Sequence, residues 1–324
     1  MSVNKRSTQI PMDRWEVFLR ALADRVSAAS EENPAARCWK PFTLCREIRA
    51  VTKANQAALR TTFPPAHVVI EQLKRMGWIH PIKVQSPNGA GLVEFLLLDM
   101  EAGQGEPIYP LELLQAYLPA GVVCFFSAII YYELTTQVVA HHHVARLNQP
   151  RAKKKSAPID TTETEQAGEP VPRNPLGTEI FCFEDVVYYL NKRDVSLVPG
   201  IQFRVVSPRC WLRITTLEQT LLDAVMQPVR CGGEAVVLEA WETGVKQMDA
   251  DRMADHLAKI QREDLDRRVG AMLEMIGADL AASPLAHRLN AVRNQLVARD
   301  APEIPLLAGF EFPEWNKTWK VRTP

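Results

Sequence analysis

Three consecutive histidines, His141, His142 and His143, are the residues of this sequence whose type and spacing come nearest to a chemical site. On a β-strand alternate side chains share a face, so His141 and His143 would point the same way and could ligate a metal together. The pattern stops there. No cysteine or carboxylate follows at a ligand interval, and Arg146 brings a positive charge close by. Neither a metal nor any other cofactor is predicted from this cluster.

The second chemically suggestive stretch is RITTLEQTLLDAVMQPVRCGG, Arg213–Gly233, with two carboxylates, Glu218 and Asp223. Thr215-x-x-Glu218 fits a capping box, in which the Thr hydroxyl caps a helix and the Glu reaches back to its first amide. Leu217, Leu221 and Val225 then make an apolar stripe, Pro228 stops the helix, and Gly232-Gly233 allows a tight turn. Asp223 alone could be a catalytic acid, but a lone carboxylate has no partner to set its pKa or share a proton. The stretch is therefore expected to be a structural signature (Thr215, Glu218, Leu221, Asp223, Gly232, Gly233), and no catalytic residue is assigned.

Other enzyme signatures are missing. There is no Gly-Ser turn followed by an Asp-x-Asp pair for two metals, no Glu-x-Lys of a restriction-type nuclease, no Gly-x-x-x-x-Gly-Lys loop and no Gly-x-Ser-x-Gly elbow. The six cysteines are scattered without a Cys-x-x-Cys pair, which argues against a zinc ribbon and a secreted disulfide scaffold. The N-terminus lacks the apolar core of a signal peptide, and the longest apolar run, Ala120–Tyr132, is shorter than the ~20 residues of a membrane span. A cytoplasmic protein without membrane contact is expected.

The elements that must position these residues follow from length and patterning. A chain of 324 residues suggests two or three domains. The formal net charge is zero, but residues 1–100 carry 14 Lys/Arg against 9 Asp/Glu. Between Lys40 and Lys83 there are eight basic residues and only two acids, Glu47 and Glu71. A basic front on a mildly acidic remainder suits a nucleic-acid reader joined to a partner or sensor domain.

Within that front, Trp15, Phe18, Leu19, Leu22 and Val26 recur at helical intervals, and Pro41–Val51 is a second helical segment. A third helix follows Pro64-Pro65, with Val69, Leu73 and Met76 on one face and Gly77 as its left-handed cap. Two β-rich runs around SPNGAG then form a hairpin. The predicted fold is α/β (α+β): a winged helix-turn-helix over residues 1–100, then a larger mixed α/β domain over 101–324. In such a motif the second helix of the pair enters the major groove while flanking groups hold phosphates. Thr61, Thr62, His67 and Gln72 are candidates for base edges, and Lys53, Arg60, Lys74, Arg75 and Lys83 for phosphates. For any one of these alone, a solvated surface charge is the simpler explanation.

Tyr109–Thr136 holds a helical apolar pattern and should be buried. Residues 149–177, rich in Pro, Lys, Thr and Glu, lose periodicity and are expected to be a flexible insertion. EIFCFEDVVYYL and IQFRVVSPRCWLRIT are β-rich, and the remainder is mainly helical, including a core helix with Leu265, Val269, Met272, Leu273 and Ile276 closed by Gly277.

With these features assembled, the sequence resembles the AbiEi family, the antitoxin and repressor half of AbiE abortive-infection toxin–antitoxin systems. The resemblance rests on the N-terminal winged helix, CFFSAIIYYELTTQ, ITTLEQTLLDAVMQPVRCGG, RRVGAMLEMIG and an IPLL…WNKTWKV ending, in the family's order along most of the chain. It implies autorepression by binding double-stranded operator DNA with inverted repeats, and neutralisation of a nucleotidyltransferase-type toxin without a stable complex. It leaves a homodimer on DNA open. The chain departs from the family pattern in the 149–177 insertion and in extra length before the third helix, Val51–Phe63. Two other classes stay in view: a winged-helix regulator whose larger domain senses a ligand or a phage component, and an enzyme using Asp223, Glu218 or His141–His143.

Overall fold

The computed structural model describes residues 12–26, 29–32, 34–59, 63–89, 91–98, 108–149, 174–280 and 283–324. They fall into two compact units, and the division is not a single cut. The first unit takes the described residues up to Ala120 together with Phe181–Glu184 and Phe203–Arg213; the second takes the rest. The first unit thus runs past residue 100 and recruits two later segments. No described helix is long and apolar enough to cross a membrane.

The first unit opens with α1 (Met12–Val26), the short strand β1 (Cys38–Trp39), α2 (Pro41–Ala54), the single turn α3 (Gln56–Leu59) and α4 (Ala66–Arg75). The antiparallel pair β2 (Ile79–Gln85) and β3 (Leu92–Leu98) follows, then α5 (Pro110–Tyr117). The helices form where the apolar spacing says they should. Trp15, Phe18, Leu19, Leu22 and Val26 of α1 are buried, as are Leu44, Ile48 and Val51 of α2 and Val69, Ile70 and Leu73 of α4. These residues share one core with Phe63, whose ring centroid lies 4.7 Å from that of Phe18 and 5.6 Å from that of Trp15.

Pro41 opens α2, where its missing N–H costs nothing. Gly77, at φ 75°, closes α4: its amide donates to Lys74 O at 3.1 Å and the Trp78 amide to Leu73 O at 2.9 Å, a Schellman pair. The hairpin is in register from Ile79↔Leu98 to Gln85↔Leu92, and β1 adds to the far side of β3 through Cys38↔Leu97 and Trp39↔Leu96. On its other edge β2 meets Cys182 opposite Gln85.

The second unit contains β4 (Val122–Val123), α6 (Phe126–Tyr131), β5 (His141–Asn148), β7 (Val186–Asp194) and the start of β6 (Thr178–Phe183), whose residues from Phe181 on belong to the first unit. The strands β8 (Ile201–Ser207) and β9 (Cys210–Thr215) come next along the chain, with Phe203–Ser207 and Cys210–Arg213 in the first unit. Five helices follow: α7 (Leu217–Met226), α8 (Glu234–Gly244), α9 (Ala250–Ile260), α10 (Glu263–Met275) and α11 (Pro284–Ala298). The chain ends in the short strands β10 (Ile304–Pro305), β11 (Glu314–Asn316) and β12 (Val321–Thr323). Strand β5 runs parallel to β7, from His141↔Val187 to Asn148↔Asp194, and antiparallel to β4, which pairs in parallel with β9 at Val123↔Ile214. The helical core gathers around Trp241, Leu221, Val225, Leu265 and Met272, all fully buried.

Two readings of the sequence need correction. Tyr109–Thr136 is not one helical segment: α5 ends at Tyr117, Pro119 and Gly121 break the pattern, and a strand precedes α6. And Thr215 is not the cap of α7. Thr216 is, with ψ 165° and its hydroxyl accepting from the Gln219 amide at 3.2 Å.

Candidate nucleic-acid interface and a buried polar centre

On the first unit, Lys53 sits in the last turn of α2, His67 in the first turn of α4, Arg75 at the end of α4 and Lys83 on β2, all exposed. A cavity of about 690 Å³ opens where α2 faces the start of α4, and Arg49, Lys53, Gln56 and His67 contribute its polar lining. Arg49 was not singled out by sequence reasoning; its one signal is an exposed position four residues before Lys53 on α2. Arg60, Thr61 and Thr62 lie outside the described residues, as does most of the 149–177 insertion.

The other two candidates differ in kind. Gln72 is half-buried, and its Oε1 has no partner among the described residues. Lys74 is not a free phosphate contact: its Nζ lies 3.0 Å from Glu94 Oε1 and 3.2 Å from Glu71 Oε1. Burial alone would lower its pKa, but the Glu94 and Glu71 carboxylates hold it above the usual lysine value. Lys74 therefore pins α4 to β3, and its charge is already neutralised.

On the second unit, β5 does place His141 and His143 on one face, but the rings bond each other: His143 Nε2 and His141 Nδ1 are 2.7 Å apart. His143 also lies 3.1 Å from the Asn191 amide nitrogen through Nδ1 and stacks on Tyr189. His142 faces the other way, with Nδ1 3.2 Å from Ser127 Oγ. Burial lowers all three pKa values, that of His142 to about 4. Among the described residues no group of three or more His, Cys, Asp or Glu side chains is arranged to hold a metal ion.

Helix α7 is buried on every side, so its polar residues must all find partners. Arg193 of β7 donates to Asp223 through both terminal nitrogens, at 2.6 and 2.5 Å, and Gln219 Nε2 donates to Asp223 Oδ1 at 2.8 Å. Burial would lower the Arg193 pKa, but the Asp223 carboxylate raises it further above its ordinary value. The neighbouring Cys124 thiol is fully buried, and burial pushes its pKa up to about 12.

Glu218 does not reach back to its own helix. It accepts from the Asp249 amide at 3.0 Å and from Arg252 Nη1 at 3.4 Å, both at the start of α9. Thr216 Oγ1 also meets His256 Nε2 at 3.1 Å, and Thr215 Oγ1 meets Thr220 Oγ1 at 2.9 Å. Three of the four carboxylates in the two Asp-x-Asp pairs of this unit are likewise engaged. Asp249 caps α9, while Asp264 and Asp266 pair with Arg262 and Arg288. Asp223 is thus held in an ion pair with Arg193, and Glu218 is engaged at the start of α9.

No family model and no curated protein matches the chain. The chain is similar to a solved structure, the RV2827C protein from Mycobacterium tuberculosis, at 13% identity and a TM-score of 0.47, covering 97% of this chain and 92% of that one. A likeness that slight carries no argument about this chain.

Proposed function

We propose that the chain is a DNA-binding antitoxin and autorepressor whose first unit is a winged helix-turn-helix. The observation that carries the DNA half is the exposure of Lys53, His67, Arg75 and Lys83 on α2, α4 and β2 of a helix–strand–helix–helix–helix–hairpin unit. In this reading α4 is the recognition helix, His67 in its first turn approaches base edges, and Lys53, Arg75 and Lys83 neutralise phosphates beside it. Lys74 drops out of the set because Glu94 and Glu71 occupy it.

The antitoxin half rests on the resemblance to the AbiEi family. Its functional partner is a nucleotidyltransferase-like toxin, its target a double-stranded operator with inverted repeats, and its place the cytoplasm. No catalytic role is assigned, since the buried carboxylates Asp223 and Glu218 are committed to Arg193 and to α9. Co-expression of the full chain with the adjacent reading frame, beside a promoter reporter, tests both halves. Growth rescue together with reporter repression is the expected result, and a chain that does neither contradicts the reading. A ligand-sensing regulator is the second reading, favoured by one observation, a cavity beside His141.

A further inference from the structure

The cavity beside His141, of about 420 Å³, lies within the second unit. Phe126 of α6, Val236 of α8 and Phe310 give it apolar walls, and the Gly232-Gly233 turn and His141 its polar side. His141 is only 8% exposed. Its proton can be placed from the bonds around it. With the Asn191 amide nitrogen facing His143 Nδ1, the proton order that satisfies both contacts has His143 carry its proton on Nε2 and donate it to His141 Nδ1. The His141 proton is then on its own Nε2, which has no protein partner among the described residues, on a ring that lines the cavity.

The start of α8 at the Gly232-Gly233 turn offers donors as well. Helix α8 starts at Gly233 without a side-chain cap, and its first internal bond runs from the Val237 amide to Gly233 O at 3.1 Å. The amides of Glu234, Ala235 and Val236 precede that bond and have no acceptor within the helix. A Cβ on Gly233 would meet nothing within 4 Å, so the backbone is open at this point. Val229 on the rim is 44% exposed and Val138 89% exposed, apolar surface that a bound molecule would cover.

We propose that this cavity binds a small monocarboxylate with an aromatic or branched aliphatic body. The carboxylate oxygens accept from His141 Nε2–H and from the first-turn amides of α8, where the helix dipole favours negative charge. The body packs against Phe126, Val236 and Phe310. Burial lowers the pKa of both His141 and His143, which favours the neutral rings that this proton order requires. The proposal rests on the second unit alone and stands or falls independently of DNA binding.

The test uses the full chain and 4-fluorobenzoate, followed by ¹⁹F NMR, with 4-fluorobenzyl alcohol as the uncharged comparator. Saturable binding of the carboxylate is expected, with the alcohol weaker by about tenfold or more, the scale of a lost charge-assisted hydrogen bond. His141→Phe keeps the ring but removes Nε2 and should weaken the carboxylate by a similar factor. Val229→Glu sets a like charge on the exposed rim without touching the core, so it gives a readout even where His141→Phe fails to fold. The proposal is overturned by a native chain that shows no saturable binding, by an alcohol that binds as well as the carboxylate, or by a Val229→Glu variant that binds undiminished.

Discussion

Arg193 and Asp223, 30 residues apart in sequence, form a two-pronged ion pair at 2.6 and 2.5 Å, with Asp223 fully buried. Breaking one side of a buried pair leaves an uncompensated charge, which costs about 3–5 kcal/mol. Asp223→Ala should therefore lower the urea midpoint of the second unit sharply. The double variant Arg193→Met/Asp223→Leu, which removes both charges, should be markedly more stable than Asp223→Ala. A single variant as stable as the native chain would show that the pair does not hold β7 to α7.

The histidines give the second unit a pH dependence with a definite sign. His142 has its pKa lowered to about 4, and His141, His143 and His256 are lowered too, each mainly by burial. Below the unfolded value near 6.5 the unfolded chain binds protons that the folded chain refuses, so stability falls as pH drops from about 6.5 toward 4. His142 alone accounts for about 3 kcal/mol once the pH is at or below its folded value. Urea midpoints measured from pH 7.5 to 4.5 should decline across this window, and His142→Gln should flatten the decline. A midpoint level down to pH 5 would contradict the burial of these rings.

The helix start at Thr216 separates local from tertiary stabilisation. Thr216→Ala removes a cap worth about 1 kcal/mol and leaves His256 Nε2 without its partner. Glu218→Gln keeps the shape but removes the charge that meets Arg252 and the start of α9. Both variants should lower the melting temperature by several degrees while antitoxicity at low temperature persists. Loss of antitoxicity in a Glu218→Gln protein that melts like the native one would give Glu218 a direct functional role.

Much of the first unit was legible because its signals are local. The apolar spacing of α1, α2 and α4, the cap at Gly77 and the hairpin around residues 86–91 all lie within a few residues of what they determine. What escaped was set by distant partners. Two threonines stand side by side before α7, and Thr216 is the cap because Thr215 turns its hydroxyl to Thr220 while Thr216 also serves His256. The partner of Glu218 is 31 residues away, and nothing in the spacing of ITTLEQTLLD points to it. Likewise Arg37 finds Glu112 at 2.9 Å, within the first unit but beyond residue 100. A chain cut at residue 100 would strand that arginine, so tests of DNA binding belong with the full chain.

Lys74 and Arg75 are neighbours with different work. Reversing Lys74 sets a third carboxylate against Glu94 and Glu71 and should cost stability first, with thermal unfolding as the measurement. Arg75→Glu, on an exposed side chain, should leave the melting temperature nearly unchanged and weaken DNA binding to all sequences alike. His67→Ala should instead reduce the preference for the promoter over unrelated DNA. Equal effects of Lys74→Glu and Arg75→Glu on stability would remove the assignment of Lys74 as the pin between α4 and β3.

The most direct measurement of the central claim is the salt dependence of binding between the full chain and a duplex carrying its own promoter. Fluorescence anisotropy from 50 to 250 mM salt should give a steep linear fall of log affinity with log salt, each neutralised phosphate contributing a slope of about −0.9. Single reversals at Lys53, Arg75 or Lys83 should each lower that slope by about 1. Affinity that stays flat across this range, or variants that leave the slope untouched, would contradict the placement of a DNA-binding surface on α2, α4 and β2.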